Sequence, residues 1–263
     1  MVGVFDSGEG GLSVLKEITR LLPEEKYVYY SDNAYCPYGE KTQEFICARA
    51  RAITGTLISE GADVIVVACN TATAAAISVL RSEYPDMKFI GMEPAVKPAA
   101  LGTVSGTVGV LATAGTLKGS KYLKTKEGVD EHVNVVEHVG LGFVELVENG
   151  KFDGPEVERI VSSSLKPLLD SGADIIVLGC THYPFLLDAM KKIAGPGIRF
   201  IDPAPAVARQ LVHVMASERL LSASAAAAAL ARADCPLPES PDVLLLSSGD
   251  LAPLHRLYRM IYK

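Results

Sequence analysis

Apolar residues in this chain come in short β-branched runs separated by longer stretches of helical periodicity. The runs VGVF (2–5), DVIVVA (63–68) and KFIGM (88–92) are followed in the second part by VGVL (108–111), DIIVLG (174–179) and RFID (199–202). Most are apolar on successive residues, the pattern of strands covered on both faces, as in parallel sheets. Between them, GLSVLKEITRLL (11–22) and TQEFICARARAITGTLISEG (42–61) carry apolar residues three and four apart and predict amphipathic helices. Strand, helix, strand, helix, strand in each part predicts an α/β protein with parallel sheets. DVLLLSSGD (242–250) predicts one more strand, returning to the first part. SASAAAAALARAD (222–234) predicts a surface helix, with a loosely ordered connection as the alternative.

The pattern repeats in detail. GADVIVVACNTAT (61–73) returns as GADIIVLGCTHYP (172–184), and at the same offset FIGMEPAV (89–96) returns as FIDPAPAV (200–207). VGVFDSG (2–8) matches VGVLATAG (108–115), which pairs Ser7 with Thr113. The expectation is therefore two homologous three-layer α/β domains, pseudo-twofold related, with the active site in the cleft between them. The first would be discontinuous, 1–95 plus 206–263, and the second would be 96–205. Ligands of open parallel sheets sit outside the carboxyl ends of the strands. Cys69, Cys180, the Asp6-Ser7 pair and Thr113 all stand at such ends. Gly39 aligns with Gly150, which predicts two cleft-lining turns, PYG and ENG.

A chain of 263 residues, 49% hydrophobic and 21% charged, has enough apolar surface for a substantial core. A net charge of −6 leaves no footprint for nucleic acid. Small molecules or copies of itself, as in a homodimer, are the partners expected. MVGVFDSGEGG has neither the basic start nor the apolar run of a leader, and no stretch has the length to span a bilayer, so a cytoplasmic protein is expected. Five cysteines, at 36, 47, 69, 180 and 235, form no CxxC pair, which predicts neither a disulfide framework nor a zinc site. No metal or cofactor is expected.

A cysteine in an apolar strand is by default an inert core residue. Cys69 and Cys180 differ in closing their strands, in preceding the hydrogen-bonding pairs Asn70-Thr71 and Thr181-His182, and in being copies of one another. A free thiol is only a few per cent thiolate at neutral pH, so it needs a helper. His182 could serve Cys180 and Asp6 could serve Cys69. Singly, His182 reads equally well as a packed turn histidine and Asp6 as a helix cap. DSGEGGLS (6–13) lacks the lysine of a phosphate loop, but its glycine-rich turn before a helix would welcome a carboxylate.

FDSGEGGLSVL, SDNAYCPYGEKT, ACNTATA, GTVGVLATAGT, FVELVENG and LGCTHYPFL, in that order between residues 5 and 187, resemble the glutamate racemases of the aspartate/glutamate racemase superfamily. The resemblance implies cofactor-independent interconversion of L- and D-glutamate for peptidoglycan. It implies that Cys69 and Cys180 are acid/base thiols assisted by Asp6 and His182, and that Glu148 orients His182. Substrate contacts implied are Ser7, Pro37, Tyr38, Gly39, Asn70, Thr71, Thr113, Thr116 and Thr181. A one-thiol decarboxylase, a racemase for aspartate or hydantoins, and an amino-acid binding module with structural thiols are the alternatives; PYGE and DSG favour glutamate. Inverting a carbon without a cofactor needs a base on one face and an acid on the other. A duplicated domain supplies such a pair.

Overall fold

The computed structural model describes residues 1–262. Its strands are β1 (Val2–Asp6), β2 (Lys26–Ser31), β3 (Val64–Val67), β4 (Lys88–Gly91), β5 (Thr107–Ala112), β6 (Asn134–Val139), β7 (Ile175–Gly179), β8 (Arg199–Ile201) and β9 (Asp242–Ser247). Its helices are α1 (Leu12–Leu21), α2 (Gln43–Ser59), α3 (Asn70–Glu83), α4 (Val96–Gly102), α5 (Ala114–Leu117), α6 (Ser120–Glu127), α7 (Phe143–Glu148), α8 (Pro155–Asp170), α9 (Leu187–Ala194), α10 (Ala204–Ser217), α11 (Ala223–Leu230) and α12 (Leu251–Ile261). The strands form two all-parallel sheets, ordered β4-β3-β1-β2-β9 and β6-β5-β7-β8.

Alternate residues of one strand point to opposite faces, and here both faces are covered. In the five-stranded sheet Val2, Val4, Val64 and Val66 join one apolar cluster while Phe5, Ile65 and Val67 join another. The four-stranded sheet divides likewise, Leu111, Ile176 and Leu178 on one side and Val108, Val110, Ile175 and Val177 on the other. Helices supply the outer layers: α1 packs on α10, and α2 on α3. The largest cluster takes Leu12 and Leu15 from α1 together with Phe143, Val144 and Tyr183 from the second half, so the two sheets share one core. Truncating one of its fully buried leucines costs about 2–5 kcal/mol.

Each half contains one more strand that the apolar runs do not announce, β2 between β1 and β9 and β6 at a sheet edge. KYVYYS (β2) is rich in tyrosine and opens on an exposed lysine, and NVVEHV (β6) is half-exposed, so neither reads as a continuous apolar run. Residues 242–247 pair with β2, in register from Lys26–Asp242 to Ser31–Ser247. The alanine-rich segment is the helix α11, with only Ala226 and Ala229 buried. Among the described residues, no helix is long and apolar enough to cross a membrane.

Strand order decides where a crevice opens. From β1 the chain moves to β2 on one side and then to β3 on the other; from β5 it moves to β6 and then to β7. Connections leaving to opposite sides of a strand part above its carboxyl end. The two crevices are thus at the ends of β1 and β3 and at the ends of β5 and β7.

Candidate active site

Cys69 and Cys180 follow the last residues of β3 and β7 by two and by one position respectively. Cys69 caps α3: its sulfur accepts the Ala72 N–H at 3.4 Å, and its thiol reaches Ser7 Oγ at 3.6 Å. The second copy is built differently, because His182-Tyr183-Pro184 makes a short 3₁₀ turn, Tyr183–Leu186, before α9 begins. That turn brings His182 Nδ1 to 3.7 Å from Cys180 Sγ and to 3.4 Å from Thr181 Oγ1.

Both cysteines line one enclosed cavity with Ser7, Pro37, Tyr38, Gly39, Asn70, Thr71, Thr113, Val144, Gly179, Thr181 and His182. Its free volume is about 10 Å³, the room of a single water. Hydrogen bonds between the halves hold it shut. Ser13 Oγ donates to the Thr181 carbonyl at 2.9 Å, Thr181 Oγ1 donates to Asp6 Oδ2 at 3.2 Å, and Thr71 Oγ1 meets Thr113 Oγ1 at 2.9 Å. Asn70 is buried in the wall with neither its side-chain oxygen nor its nitrogen partnered by protein. A buried amide left unpaired is costly, so its atoms mark where a polar ligand would be received.

Three expected site residues stand behind this wall. Asp6 is fully buried, and its Oδ2 also accepts the Gly11 N–H at 2.8 Å; the contact it makes across the cleft is to Thr181, not to Cys69. Glu148 closes α7, and its Oε1 takes His182 Nε2 at 2.5 Å and the Glu9 N–H at 2.9 Å. Thr116 lies under Thr71 and Thr113, at 3.3 and 3.0 Å from their hydroxyls. The loop 6–13 does receive carboxylates at its N–H groups, and they are the protein's own Asp6 and Glu148. Its glycines are demanded by this closeness: a Cβ on Gly8 would stand 2.2 Å from Glu148 Oε1, and one on Gly10 would stand 2.3 Å from His182 Nδ1.

Charge is arranged unequally on the two sides. Burial, reinforced by the negative charge of Asp6, pushes the Cys69 thiol up, so it rests protonated. Burial likewise raises Asp6, against the opposing pull of His182 and of the Gly11 N–H. For His182 burial disfavours the charged ring, but hydrogen bonding to Cys180, Cys36 and Glu148 prevails and holds it well above its ordinary value. No Lys or Arg lines the cavity.

The PYG turn is held from outside, since Tyr38 donates its hydroxyl to Asp32, which Arg49 grips at 2.6 and 2.9 Å. Gly39 lines the cavity as expected of a cleft turn; Gly150 does not. Gly150 has φ +70° and makes room for Arg256 of α12, whose guanidinium donates to the Glu148 carbonyl at 3.1 Å. Sequence reasoning also passed over Val144, one helical turn before Glu148, and Gly179 before Cys180. It missed Cys36 as well, whose thiol lies among His182 and Glu148 although no spacing along the chain connects them.

Two α/β halves thus bring matched thiols to one cavity that neither lysine nor arginine lines. The chain belongs to the Asp/Glu/Hydantoin racemase family, which it matches over residues 2–211. It is 44% identical over 254 residues to a glutamate racemase of Ectopseudomonas mendocina, covering 97% of either chain. It is 46% identical over 226 residues to one of Pseudomonas aeruginosa, covering 86% of this chain and 85% of that one. Among solved structures it resembles glutamate racemase isoform RacE1 of Bacillus anthracis, with TM-score 0.81 and 30% identity over 99% of this chain and 92% of that one. The Escherichia coli glutamate racemase in complex with L-glutamate and the activator UDP-MurNAc-ala has TM-score 0.80 and 31% identity, over 99% of this chain and 94% of that one.

Proposed function

We propose that this chain interconverts L- and D-glutamate by two thiols without a cofactor, and that it supplies D-glutamate for peptidoglycan in the cytoplasm. The observation that carries the reading is the placing of Cys69 and Cys180, at matching strand ends of the two halves, on one cavity. That the substrate is glutamate rests on the relatives so named.

In each turnover one sulfur, as thiolate, takes the α-proton, and the other, as thiol, returns a proton to the opposite face of the planar carbanion. The electron pair of the broken C–H bond is held by the neighbouring carboxylate until the new bond forms. Cys69 is assigned the proton of D-glutamate and Cys180 that of L-glutamate. His182, held by Glu148, exchanges a proton with Cys180, and Asp6 tunes the site from behind the Ser7 loop. Cys69, Cys180, Asp6, His182 and Glu148 are thus the working set.

Without lysine or arginine on the wall, the two substrate carboxylates fall to hydroxyl and amide donors: Ser7, Asn70, Thr71, Thr113 and Thr181, with Thr116 behind the threonines and Pro37, Tyr38 and Gly39 shaping the turn. The first turn of α3 adds its dipole. A cavity of about 10 Å³ must widen to admit glutamate. The opening proposed is a movement of residues 96–205 against 1–95 plus 206–263, breaking the few hydroxyl bonds across the cleft; reclosure keeps the carbanion from bulk water. The test is incubation of the purified protein with L-glutamate, with and without EDTA, followed by chiral chromatography. D-Glutamate formed at equal rates in both supports the reading. No inversion, or inversion that EDTA abolishes and metal restores, refutes it.

A further inference from the structure

We propose that Cys36, His182 and Glu148 form a binding site for a thiophilic divalent cation, Zn²⁺ foremost, whose occupation shuts the enzyme off. One donor atom from each, a sulfur, a ring nitrogen and a carboxylate oxygen, lies within 4.8 Å of the others. The three residues come from separate segments of the chain, and the absence of a side chain at Gly8 is what lets two of them converge. A Cβ there would stand 2.9 Å from Cys36 Sγ and 2.2 Å from Glu148 Oε1, so both donors address the space a Cβ would fill. His182 Nε2 reaches the same Oε1 at 2.5 Å.

Thiolate, imidazole and carboxylate together are a donor set for zinc, at metal–ligand distances of about 2.0–2.3 Å with a fourth position left open. Ligands so placed around one ion stand roughly 3.3–3.6 Å apart. The His182–Glu148 pair, now at 2.5 Å, would part by about 1 Å to admit the ion. As the bonds to sulfur and nitrogen form, the Cys36 thiol proton and the His182 ring proton pass to solvent. Glu148 is further fixed by the Glu9 N–H at 2.9 Å, a support that orients the ligand oxygen.

Cys36 is not one of the groups assigned a proton transfer above, although its hydrogen bond helps hold the His182 ring protonated; the other two ligands belong to the working set. An ion on Nε2 would part Glu148 from His182 and leave Nδ1 holding the one ring proton, so the ring facing Cys180 could no longer take a proton from it. Only this inhibitory consequence rests on the racemase reading; binding itself does not.

The experiment uses the full chain carrying Cys47→Ser and Cys235→Ser, which removes the thiols remote from the cavity, and titrates it with Co²⁺. One equivalent should give a thiolate-to-cobalt charge-transfer band with the visible bands of a tetrahedral ion, and Zn²⁺ should displace it. Adding Cys36→Ser should erase the charge-transfer band and weaken Zn²⁺ in competition with a chromophoric chelator by about 100-fold or more. In parallel, micromolar Zn²⁺ should inhibit racemisation of the parent, EDTA should restore it, and the Cys36→Ser protein, measured against its own rate without metal, should resist Zn²⁺. Persistence of the band in Cys36→Ser would place the ion on Cys69 or Cys180 and overturn the proposal, as would no band at all. Because the band is read without substrate, a failed racemase assay leaves this outcome unaffected.

Discussion

Asn70 is where structural cost and proposed function separate most cleanly. It is 3% exposed, and neither end of its amide has a protein partner. A buried polar group left unpaired costs about 1–3 kcal/mol, and we take about 2 for this amide beside a cavity with room for one water. Asn70→Ala removes that cost and leaves a small void worth roughly 1 kcal/mol. Cys69 still caps α3, so the helix start survives. The net expectation is a gain of about 1 kcal/mol, or a melting temperature about 2–4 °C higher without ligand. Binding should move the opposite way. Losing one hydrogen bond to a substrate carboxylate, about 1.5–3 kcal/mol, weakens D-glutamate roughly 10- to 100-fold. At a ligand concentration about 100 times the parent's Kd, the parent gains about 2.7 kcal/mol and a variant weakened 100-fold about 0.4. Calorimetric melts of both proteins, with and without D-glutamate, measure all four states. A variant that melts below the parent without ligand, or that is stabilised by D-glutamate as strongly as the parent, would refute the assignment of Asn70 as a preformed ligand donor.

Three further outcomes are expected. Cys69→Ala and Cys180→Ala should each abolish racemisation in both directions; in heavy water Cys180→Ala should retain only slow exchange of the α-proton of D-glutamate, and Cys69→Ala only that of L-glutamate, as followed by NMR. Equal exchange of both enantiomers by one variant would point to a single base. Glu148→Gln keeps a hydrogen bond to His182 but removes the charge that helps hold the ring protonated against its burial; the high-pH limb of kcat/KM from L-glutamate should move to lower pH, and an unmoved limb would sink the orienting role. Burial raises Asp6, so the stability this group contributes is full below its ordinary pKa of 3.8 and is lost as pH rises through the folded value. Asp6→Asn should therefore gain in melting temperature relative to the parent as pH rises above about 4, and a difference independent of pH would contradict it.

The covered strands, the repeat and the motif segments were legible because each is written in consecutive residues. A parallel strand buried on both faces must be apolar at nearly every position, and a duplicated strand end must carry the same residue types twice. Cys69, Asn70, Cys180 and His182 could be singled out on that ground. β6 escaped because a partly exposed strand can carry asparagine, glutamate and histidine, and such a stretch has little contrast with a loop; β2 is largely buried, but its tyrosines and its terminal lysine and serine interrupt the aliphatic run. The inward turn of Gly39 and the outward turn of Gly150 could not be told apart either, for both are glycines at aligned positions; Arg256, over a hundred residues away in α12, decides the second.

What the sequence determined by itself is therefore the class of fold and the kind of chemistry, since periodicity and local motif are short-range properties. What tertiary structure alone decided is which side chains share charge and protons. Strand order brought the ends of β1, β3, β5 and β7 to one cavity, sent Asp6 to Thr181, and left the Asn70 amide without a protein partner. The glycines of the first loop let Glu148, His182 and Cys36 meet. Hydrogen bonds, burial and the fields that shift a proton act over a few ångströms of space, and distance along the chain carries almost no information about them.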